Sequence, residues 1–339
     1  MKRIKIGQIG ICHEHASAKF QALRGMPDIF EIVGVVDDRS SKSARFFDGS
    51  TEVYQEATWM TERELLDYPG LQAVTVEVPN EDLVPTSARC AERNLAIHMD
   101  KPAGSSLDAY KNLLDACKAG GLPFQMGYMF RNNPAFQLCA KAVRESWLGD
   151  IFEIQANMSH NYGGAAYQKY LGEFKGGIMF NLGCHLIDFI VTLLGRPEKI
   201  TPFLKSTSGL PGSIKNNGLA IMEYPHATAT VRACSLEVDG LAHRRLKVCG
   251  TKGTIELSPL ERFDGEPLLM HLTLREGNGT YSPGHHVVNT GTRLDRYQDQ
   301  LLELARILNG EIDNPYTYEH DYLVHEATLA AAGYTLWKF

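Results

Sequence analysis

The sequence predicts an α/β protein in which a parallel, doubly wound sheet is followed by an α+β domain built on a large, mostly antiparallel open sheet. Over the first 125 residues, short apolar runs alternate with helical segments, and parallel strand pairs require such crossovers. Beyond residue 150, strand-like runs follow one another through short turns, which is the pattern of antiparallel pairing. We therefore predict one domain over 1–125 and a second over 126–339, whose last helices are able to pack back on the first.

Each element has a local signal in the sequence. Apolar runs bounded by turn residues predict strands, and apolar residues at helical spacing predict helices. The strands predicted for the first domain span 4–10, 31–36, 73–78, 96–99 and 124–127, and its helices span 16–23, 61–66, 82–93 and 107–119. The strands predicted for the second domain span 151–159, 219–224, 228–237, 245–249, 254–257 and 268–274, and its helices span 134–147, 296–308 and 318–334.

Composition narrows the class of protein. The chain has 339 residues, a net charge of −6 and an isoelectric point near 6.1, so neither nucleic acid nor an anionic membrane surface is expected as a partner. The seven cysteines are scattered and form no CxxC pair, which predicts reduced thiols and a cytoplasmic protein. The N-terminus begins directly with a strand pattern, and no long apolar span follows. A small molecule is the expected partner.

The first strand runs into a glycine turn and then a helix, which is the opening of a dinucleotide-binding unit. Where that unit has three glycines, this chain keeps only Gly10, with Cys12 and His15 at the other two positions. Together with Ile11, the residues Gly10, Cys12 and His13 are predicted to contact the cofactor. His13 is expected either to donate to a phosphate or to lie beside the cofactor. The alternating His13 and His15 lack a partner cluster in the sequence, so we predict no metal site.

The second predicted strand ends in Asp37, Asp38 and Arg39. An acid at this position holds a ribose hydroxyl and repels a 2′-phosphate, which favours NAD. Because Arg39 is able to pair with a 2′-phosphate, NADP stays open.

A lysine follows the strand predicted at 96–99. The run ends in Asp100, Lys101 and Pro102, and Lys101 is expected in the crevice at the carboxyl ends of the strands. Proline restricts the residue before it to extended backbone, which holds the lysine in place.

The stretch from Gly176 contains three polar residues at helical spacing. Asn181, His185 and Asp188 are four and three residues apart, so on a helix they share one face. Either that face is solvated or it carries function. The Gly- and Tyr-rich segment 161–175, with Tyr162, is either a substrate rim or a surface loop.

The ordered set of motifs resembles the Gfo/Idh/MocA family of nicotinamide-dependent oxidoreductases over nearly the whole chain. The motifs are the turn at 7–10, Asp37, Val78-Pro79-Asn80, Asp100-Lys101-Pro102, Gly127-Tyr128-x-x-Arg131, the segment from Gly176-Gly177 to His185-x-x-Asp188, and the turn at 250–253. The resemblance implies a Rossmann domain followed by a substrate-binding and oligomerisation domain. It also implies cofactor contacts from Val78, Pro79, Asn80, Asp100 and Lys101. Tyr128 and Arg131 are expected to line the substrate crevice, and Asp188 either lines it too or has a structural role.

The resemblance further implies the chemistry. Family dehydrogenases oxidise a sugar or polyol hydroxyl or reduce the ketone, with His185 as general base, Lys101 on the reacting oxygen and Asn181 orienting substrate or base. Asparagine replaces the aspartate of many members at Asn181, which predicts a weaker base. Two alternatives stay open: an enzyme that uses bound NAD to cleave a glycosidic bond, and a non-catalytic ligand-sensing regulator. A homo-oligomer, dimer or tetramer, is expected.

Overall fold

The computed structural model describes residues 3–40, 52–161, 164–207 and 211–338. It divides the chain into two compact units, Met1–Met129 with Asp295–Tyr322, and Phe130–Leu294 with Leu323–Phe339. The predicted fold class is confirmed, since one unit is built on a parallel sheet and the other on a mostly antiparallel sheet.

Six parallel strands form the sheet of the first unit, in the order β3-β2-β1-β4-β5-β6. The strands are β1 (Ile4–Ile9), β2 (Phe30–Val36), β3 (Trp59–Met60), β4 (Ala73–Val76), β5 (Ala96–Met99) and β6 (Phe124–Met126). The strand order reverses between β1 and β4, and ligands of such sheets bind beyond the carboxyl ends of the strands at this reversal. The predicted glycine turn lies at the carboxyl end of β1, and the Asp-Lys-Pro segment lies at the carboxyl end of β5.

Nine α-helices, a 3₁₀ turn and a π-turn are found among the described residues. The α-helices are α1 (Ala16–Arg24), α2 (Glu62–Leu66), α3 (Asn80–Ala91), α4 (Leu107–Gly120), α5 (Pro134–Arg144), α6 (Ala165–Leu171), α7 (Cys184–Leu194), α8 (Gln298–Leu308) and α9 (Tyr318–Ala331). The 3₁₀ turn spans Glu52–Tyr54 and the π-turn Met179–Gly183. Within the described residues, no helix is both long and apolar enough for a membrane span.

A late segment of the chain completes the core of the first unit. The buried face of α1 and the start of β2 supply Leu23 and Phe30, which belong to the same apolar cluster as Leu301 and Leu304 of α8. Burying a leucine or phenylalanine side chain contributes about 1.5–3 kcal/mol. The first unit therefore depends on residues that follow the whole second sheet in sequence.

Eight strands form the sheet of the second unit, in the order β14-β13-β12-β11-β7-β10-β9-β8. They are β7 (Ile151–Asn157), β8 (Lys199–Lys205), β9 (Asn217–Glu223), β10 (Thr228–Cys234), β11 (Arg245–Gly250), β12 (Gly253–Leu257), β13 (Leu269–Leu274) and β14 (Gly284–Asn289). Every neighbouring pair is antiparallel except β7 and β10, which are parallel. Their alternating side chains bury one face of the sheet.

The structure adds elements that the sequence did not predict. The short β3 and the edge strands β8 and β14 were not foreseen, and β8 contains Pro202, which an edge strand tolerates because it lacks only one N–H donor. The segment 161–175 was predicted as a loop or substrate rim, but α6 occupies seven of its fifteen residues. Tyr162 lies outside the described residues.

Candidate active site

Gly10 makes the turn after β1 possible. Its φ is +96°, and a Cβ at this position would lie 2.6 Å from the backbone oxygen of Glu77. The turn is fixed further along by the His13 amide, which donates to the same oxygen at 3.0 Å. Only glycine fits here, which explains why this glycine of the fingerprint is present.

The other two fingerprint positions accept larger residues. His15 has φ −104°, and Cys12 is not among the described non-glycine residues with positive φ. Neither position therefore needs glycine for its backbone conformation. The side chain of His15 reaches Asp100 instead, with Nδ1 3.0 Å from the nearer carboxylate oxygen.

Asp38 holds the loop between β1 and α1. Its Oδ1 accepts hydrogen bonds from the amides of Ile11 at 2.8 Å and Cys12 at 3.1 Å. Burial raises the pKa of Asp38, and these two amide bonds act in the opposite direction. Burial likewise raises the pKa of the Cys12 thiol, so it stays protonated. The predicted cofactor contacts Ile11 and Cys12 thus lie in one loop, and the third, Asp38, binds that loop from the end of β2.

The carboxylate of Asp37 is paired with the guanidinium of Arg39. Arg39 donates to both carboxylate oxygens, with its Nε 3.0 Å from each. This hydrogen bonding lowers the pKa of Asp37. Both side chains remain partly exposed at the end of β2.

The N-terminus of α1 fits a phosphate group. No side chain caps it, and its first turn contains no acidic residue. The first amides of a helix lack intrahelical partners and favour an anion. Three features therefore suit a dinucleotide: the glycine turn at Gly10, the two acids after β2, and the N-terminus of α1, which no side chain caps.

The Asp-Lys-Pro segment is fixed by side-chain bonds to its backbone. Asn80 Nδ2 donates to the carbonyls of Lys101 at 3.1 Å and Pro102 at 3.2 Å. Asp100 Oδ1 accepts from the Lys101 amide at 2.6 Å. Lys101 is 1% exposed, and its Nζ lies 3.3 Å from Glu14 Oε1. Three predicted residues, Asn80, Asp100 and Lys101, are therefore brought together.

A buried ion triad lies beside this segment. The Nζ of Lys19 is 2.9 Å from Glu77 Oε1 and 2.9 Å from Asp100 Oδ2, and all three side chains are at most 1% exposed. Burial raises the pKa of Glu77 well above its ordinary value. Burial also opposes ionisation of Asp100, but the neighbouring positive groups outweigh it and hold the pKa of Asp100 well below its ordinary value. Asp100 is thus the ionised partner of Lys19.

Sequence reasoning missed Lys19 and Glu77, although signals were present. Lys19 stands at an apolar-stripe position of α1, between Ala16 and Leu23, and Glu77 follows directly after the apolar strand β4. A charged residue at such a position implies a buried partner.

In the second unit, Asn181 lies in the π-turn that precedes α7. Gly177 lies just before this π-turn and has a φ of +52°. A Cβ at this position would lie 1.9 Å from the Lys215 carbonyl oxygen, so only glycine fits. Asn181 Nδ2 donates to the hydroxyl of Tyr167 on α6 at 3.0 Å. His185, near the start of α7, packs edge-on against Phe130 with ring centroids 5.9 Å apart.

The three polar residues of this segment are all buried. Asn181, His185 and Asp188 are 1–2% exposed, so the solvated-face interpretation does not apply. π-turns inside helices are frequent at functional sites, and the sequence spacing did not reveal this one.

Arg131 and Asp188 bind each other. Arg131 Nε lies 3.1 Å from both oxygens of Asp188, and a terminal nitrogen lies 2.6 Å from Oδ1. Both are buried, as is the third predicted substrate residue, Tyr128. The ion pair joins the start of the second unit to α7, while a substrate role for these residues stays a prediction.

The first unit is thus a parallel sheet with the glycine turn and helix N-terminus of a dinucleotide-binding domain, and the second unit contains a buried histidine, His185. The sequence matches the oxidoreductase family with an NAD-binding Rossmann fold over residues 4–128 and the Gfo/Idh/MocA C-terminal domain over residues 136–256. The chain belongs to the Gfo/Idh/MocA oxidoreductase family, as the motifs predicted.

Similar proteins include two curated sugar dehydrogenases. D-apiose dehydrogenase of Paraburkholderia graminis is 25% identical over 78% of this chain and 70% of its own length. D-xylose 1-dehydrogenase (NADP(+)) 2 of Haloferax volcanii is 25% identical over 71% of each chain. Among solved structures, an oxidoreductase from Agrobacterium radiobacter in complex with NAD⁺, L-tartaric acid and magnesium has a TM-score of 0.79 at 16% identity, covering 98% of this chain and 97% of that one.

Proposed function

We propose that this chain transfers a hydride between a nicotinamide dinucleotide and a carbon that bears a hydroxyl group in a sugar or polyol. The observation that carries the proposal is the buried Lys101, fixed by Asn80 and Asp100 directly after β5. Support also comes from the curated names of the two relatives, both sugar dehydrogenases. A buried lysine with a fixed backbone has little conformational freedom to lose when it binds an oxygen.

In the proposal, the first unit holds the cofactor. The N-terminus of α1 binds the pyrophosphate, and Asp37 and Asp38 bind ribose hydroxyls, while Val78 and Pro79 line the nicotinamide side. Once bound, the dinucleotide supplies the hydride acceptor or donor. The chain contributes binding, orientation and proton transfer.

The proposed proton chemistry rests on His185 and Lys101. His185 takes the hydroxyl proton, a role suited to imidazole because it changes protonation near neutral pH. Lys101 donates to the same oxygen and stabilises the developing negative charge. Asn181 is a positioning residue, held by Tyr167. The Nζ of Lys101 lies 3.3 Å from the Glu14 carboxylate.

Cofactor binding is the first test. At about a hundred times its dissociation constant, NAD⁺ or NADH stabilises the protein by roughly 2.7 kcal/mol, since it binds only the folded state. We expect the melting temperature to rise with at least one of NAD⁺, NADH, NADP⁺ and NADPH, measured in parallel. Purified protein that contains no bound dinucleotide and responds to none of the four contradicts the proposal and favours a ligand-sensing regulator.

The reaction is tested by nicotinamide absorbance with a panel of sugars and polyols. A net change with any of them supports hydride transfer to or from the substrate. Substrate consumption without a net change identifies the alternative in which bound NAD is used transiently to cleave a glycosidic bond.

Asp37→Ala is expected to shift the preference of the protein from NAD toward NADP. The change removes a ribose contact and at the same time frees Arg39, whose guanidinium now binds Asp37, to pair with a 2′-phosphate. Dissociation constants for NAD⁺ and NADP⁺ by isothermal titration calorimetry measure the shift. Asp264→Ala is the matched control, because Asp264 pairs with Arg262 two residues away in the same manner. An unchanged ratio of the two constants in Asp37→Ala refutes the assignment.

A further inference from the structure

We propose that His13, His15 and Asp100 form a binding site for a divalent transition metal of the zinc class. One ligand atom from each lies within 4.8 Å of the others. The proposal departs from the sequence-based expectation of no metal site, which followed from the lack of a third ligand. Asp100, after β5, is that ligand. The inference goes beyond the proposed hydride transfer and does not depend on it.

The distances suit a shared cation. Asp100 Oδ2 is 3.0 Å from His15 Nδ1 and 3.6 Å from His13 Nδ1. Ligands about 2.0–2.2 Å from a tetrahedral zinc ion are about 3.3–3.5 Å from one another. Small side-chain adjustments therefore suffice to place the three ligands around one ion.

His13 is buried and incompletely bonded. Its side chain is 1% exposed, and its Nε2 has no hydrogen-bond partner among the described residues. A buried polar atom without a partner costs about 1–3 kcal/mol. The Nδ1 of His13 is the nitrogen beside the carboxylates, 3.6 Å from Asp100 Oδ2 and 3.9 Å from Glu77 Oε2.

The charges around the site leave room for a cation. Three carboxylates (Glu14, Glu77 and Asp100) are accompanied by two ammonium groups (Lys19 and Lys101). Carboxyl groups thus outnumber ammonium groups around the site. Lys19 binds Oδ2 of Asp100 at 2.9 Å, whereas Oδ1 lies 3.1 Å from His15 Nδ1. Both oxygens of the carboxylate thus lie within 3.1 Å of His15 Nδ1.

The ligand set and its exposure indicate the kind of metal. Two imidazoles and one carboxylate suit zinc, and zinc sites with three protein ligands keep a fourth position for water or another oxygen. His15 is the exposed member, with 18% of its side chain accessible, so the ion is able to enter from its side. The site would bind Zn²⁺ with one coordination position open.

The test is calorimetric titration of the metal-free full-length protein with Zn²⁺, and with Co²⁺ as a spectroscopic probe, in the absence of dinucleotide. We expect one ion per chain and the visible absorbance of tetrahedral cobalt. His15→Ala and Asp100→Asn should each weaken binding by more than the roughly 10–100-fold that follows loss of an outer-shell partner. Circular dichroism and melting curves check that both variants fold, and His15→Ala is the milder change because His15 is partly exposed.

The control removes the other adjacent histidine pair of the described residues. His271 and His285 lie on the exposed face of β13 and β14, with Nδ1 and Nε2 3.2 Å apart. The double variant His271→Gln/His285→Gln should bind Zn²⁺ as the parent does. The proposal is overturned if the parent binds no ion, or if binding survives in folded His15→Ala and Asp100→Asn. Loss of binding in the double variant assigns the ion to the surface pair and overturns it equally. Because no dinucleotide is present, these outcomes are independent of the proposed hydride transfer.

Discussion

His185→Ala is expected to lower kcat by about 10²–10⁴-fold, because general-base catalysis by a positioned side chain contributes that much to the rate. Lys101→Met should have an effect of similar size, since it removes the donor that stabilises the developing alkoxide. Each side chain is buried, yet neither belongs to the Lys19 triad or the Arg131–Asp188 pair. We expect the loss to appear in kcat and in kcat/KM together, as for groups that act in the transition state.

Steady-state kinetics on the first sugar or polyol that the parent oxidises provides the measurement. The pH dependence of kcat gives a second readout: loss of the base should remove the acid limb of the profile in His185→Ala but not in Lys101→Met. His243→Ala and Lys118→Met are matched controls, because both side chains are exposed and form surface ion pairs. If either active-site variant keeps kcat within about twofold of the control, that residue has no catalytic role.

Lys19→Met is expected to lower the free energy of unfolding by about 3–5 kcal/mol. The change keeps the apolar stem of the side chain but leaves Glu77 and Asp100 buried without their shared cation, and breaking a buried ion pair by removing one partner costs about this much. Urea unfolding followed by circular dichroism measures the loss. A loss of this size would show that the triad stabilises the turn that contains Lys101.

Two further variants separate this effect from a general effect of lysine removal. Lys111→Met removes an exposed lysine that pairs with Asp115 one helical turn away, and should change stability by no more than about 0.5 kcal/mol. In the double variant Lys19→Met/Glu77→Gln, the second change replaces one of the two buried carboxyl groups that have lost their shared partner, so the two losses should be less than additive. Equal losses from Lys19→Met and Lys111→Met would contradict the triad.

The fold followed from the sequence wherever burial imposed a pattern. β1, β2, β4 and β5 are buried on both faces of the parallel sheet, so their apolar runs were visible. The edge strand β14 carries two histidines and is mostly exposed, and its pairing comes from β13 rather than from a signal of its own. α6 was hidden because glycines and tyrosines around it indicated a loop.

The site was predictable where a motif carries it and not where tertiary contacts decide it. Asn80, Asp100 and Lys101 were predicted as cofactor contacts, and the structure places them around one turn. The sequence placed the acids after β2 at the ribose, but it gave no sign that Asp38 binds the loop amides. The π-turn at Asn181 was equally hidden, since it depends on how the turn before α7 packs.

The return of the chain to its first unit bears on how the protein folds during synthesis. While residues 130–294 emerge from the ribosome, Leu23 and Phe30 lack Leu301 and Leu304, the side chains of α8 that share their apolar cluster. The nascent first unit therefore exposes an apolar surface until the last part of the chain is made, a state that favours chaperone binding and aggregation. A fragment that ends after β6 would lack α8 and would leave that apolar surface exposed permanently.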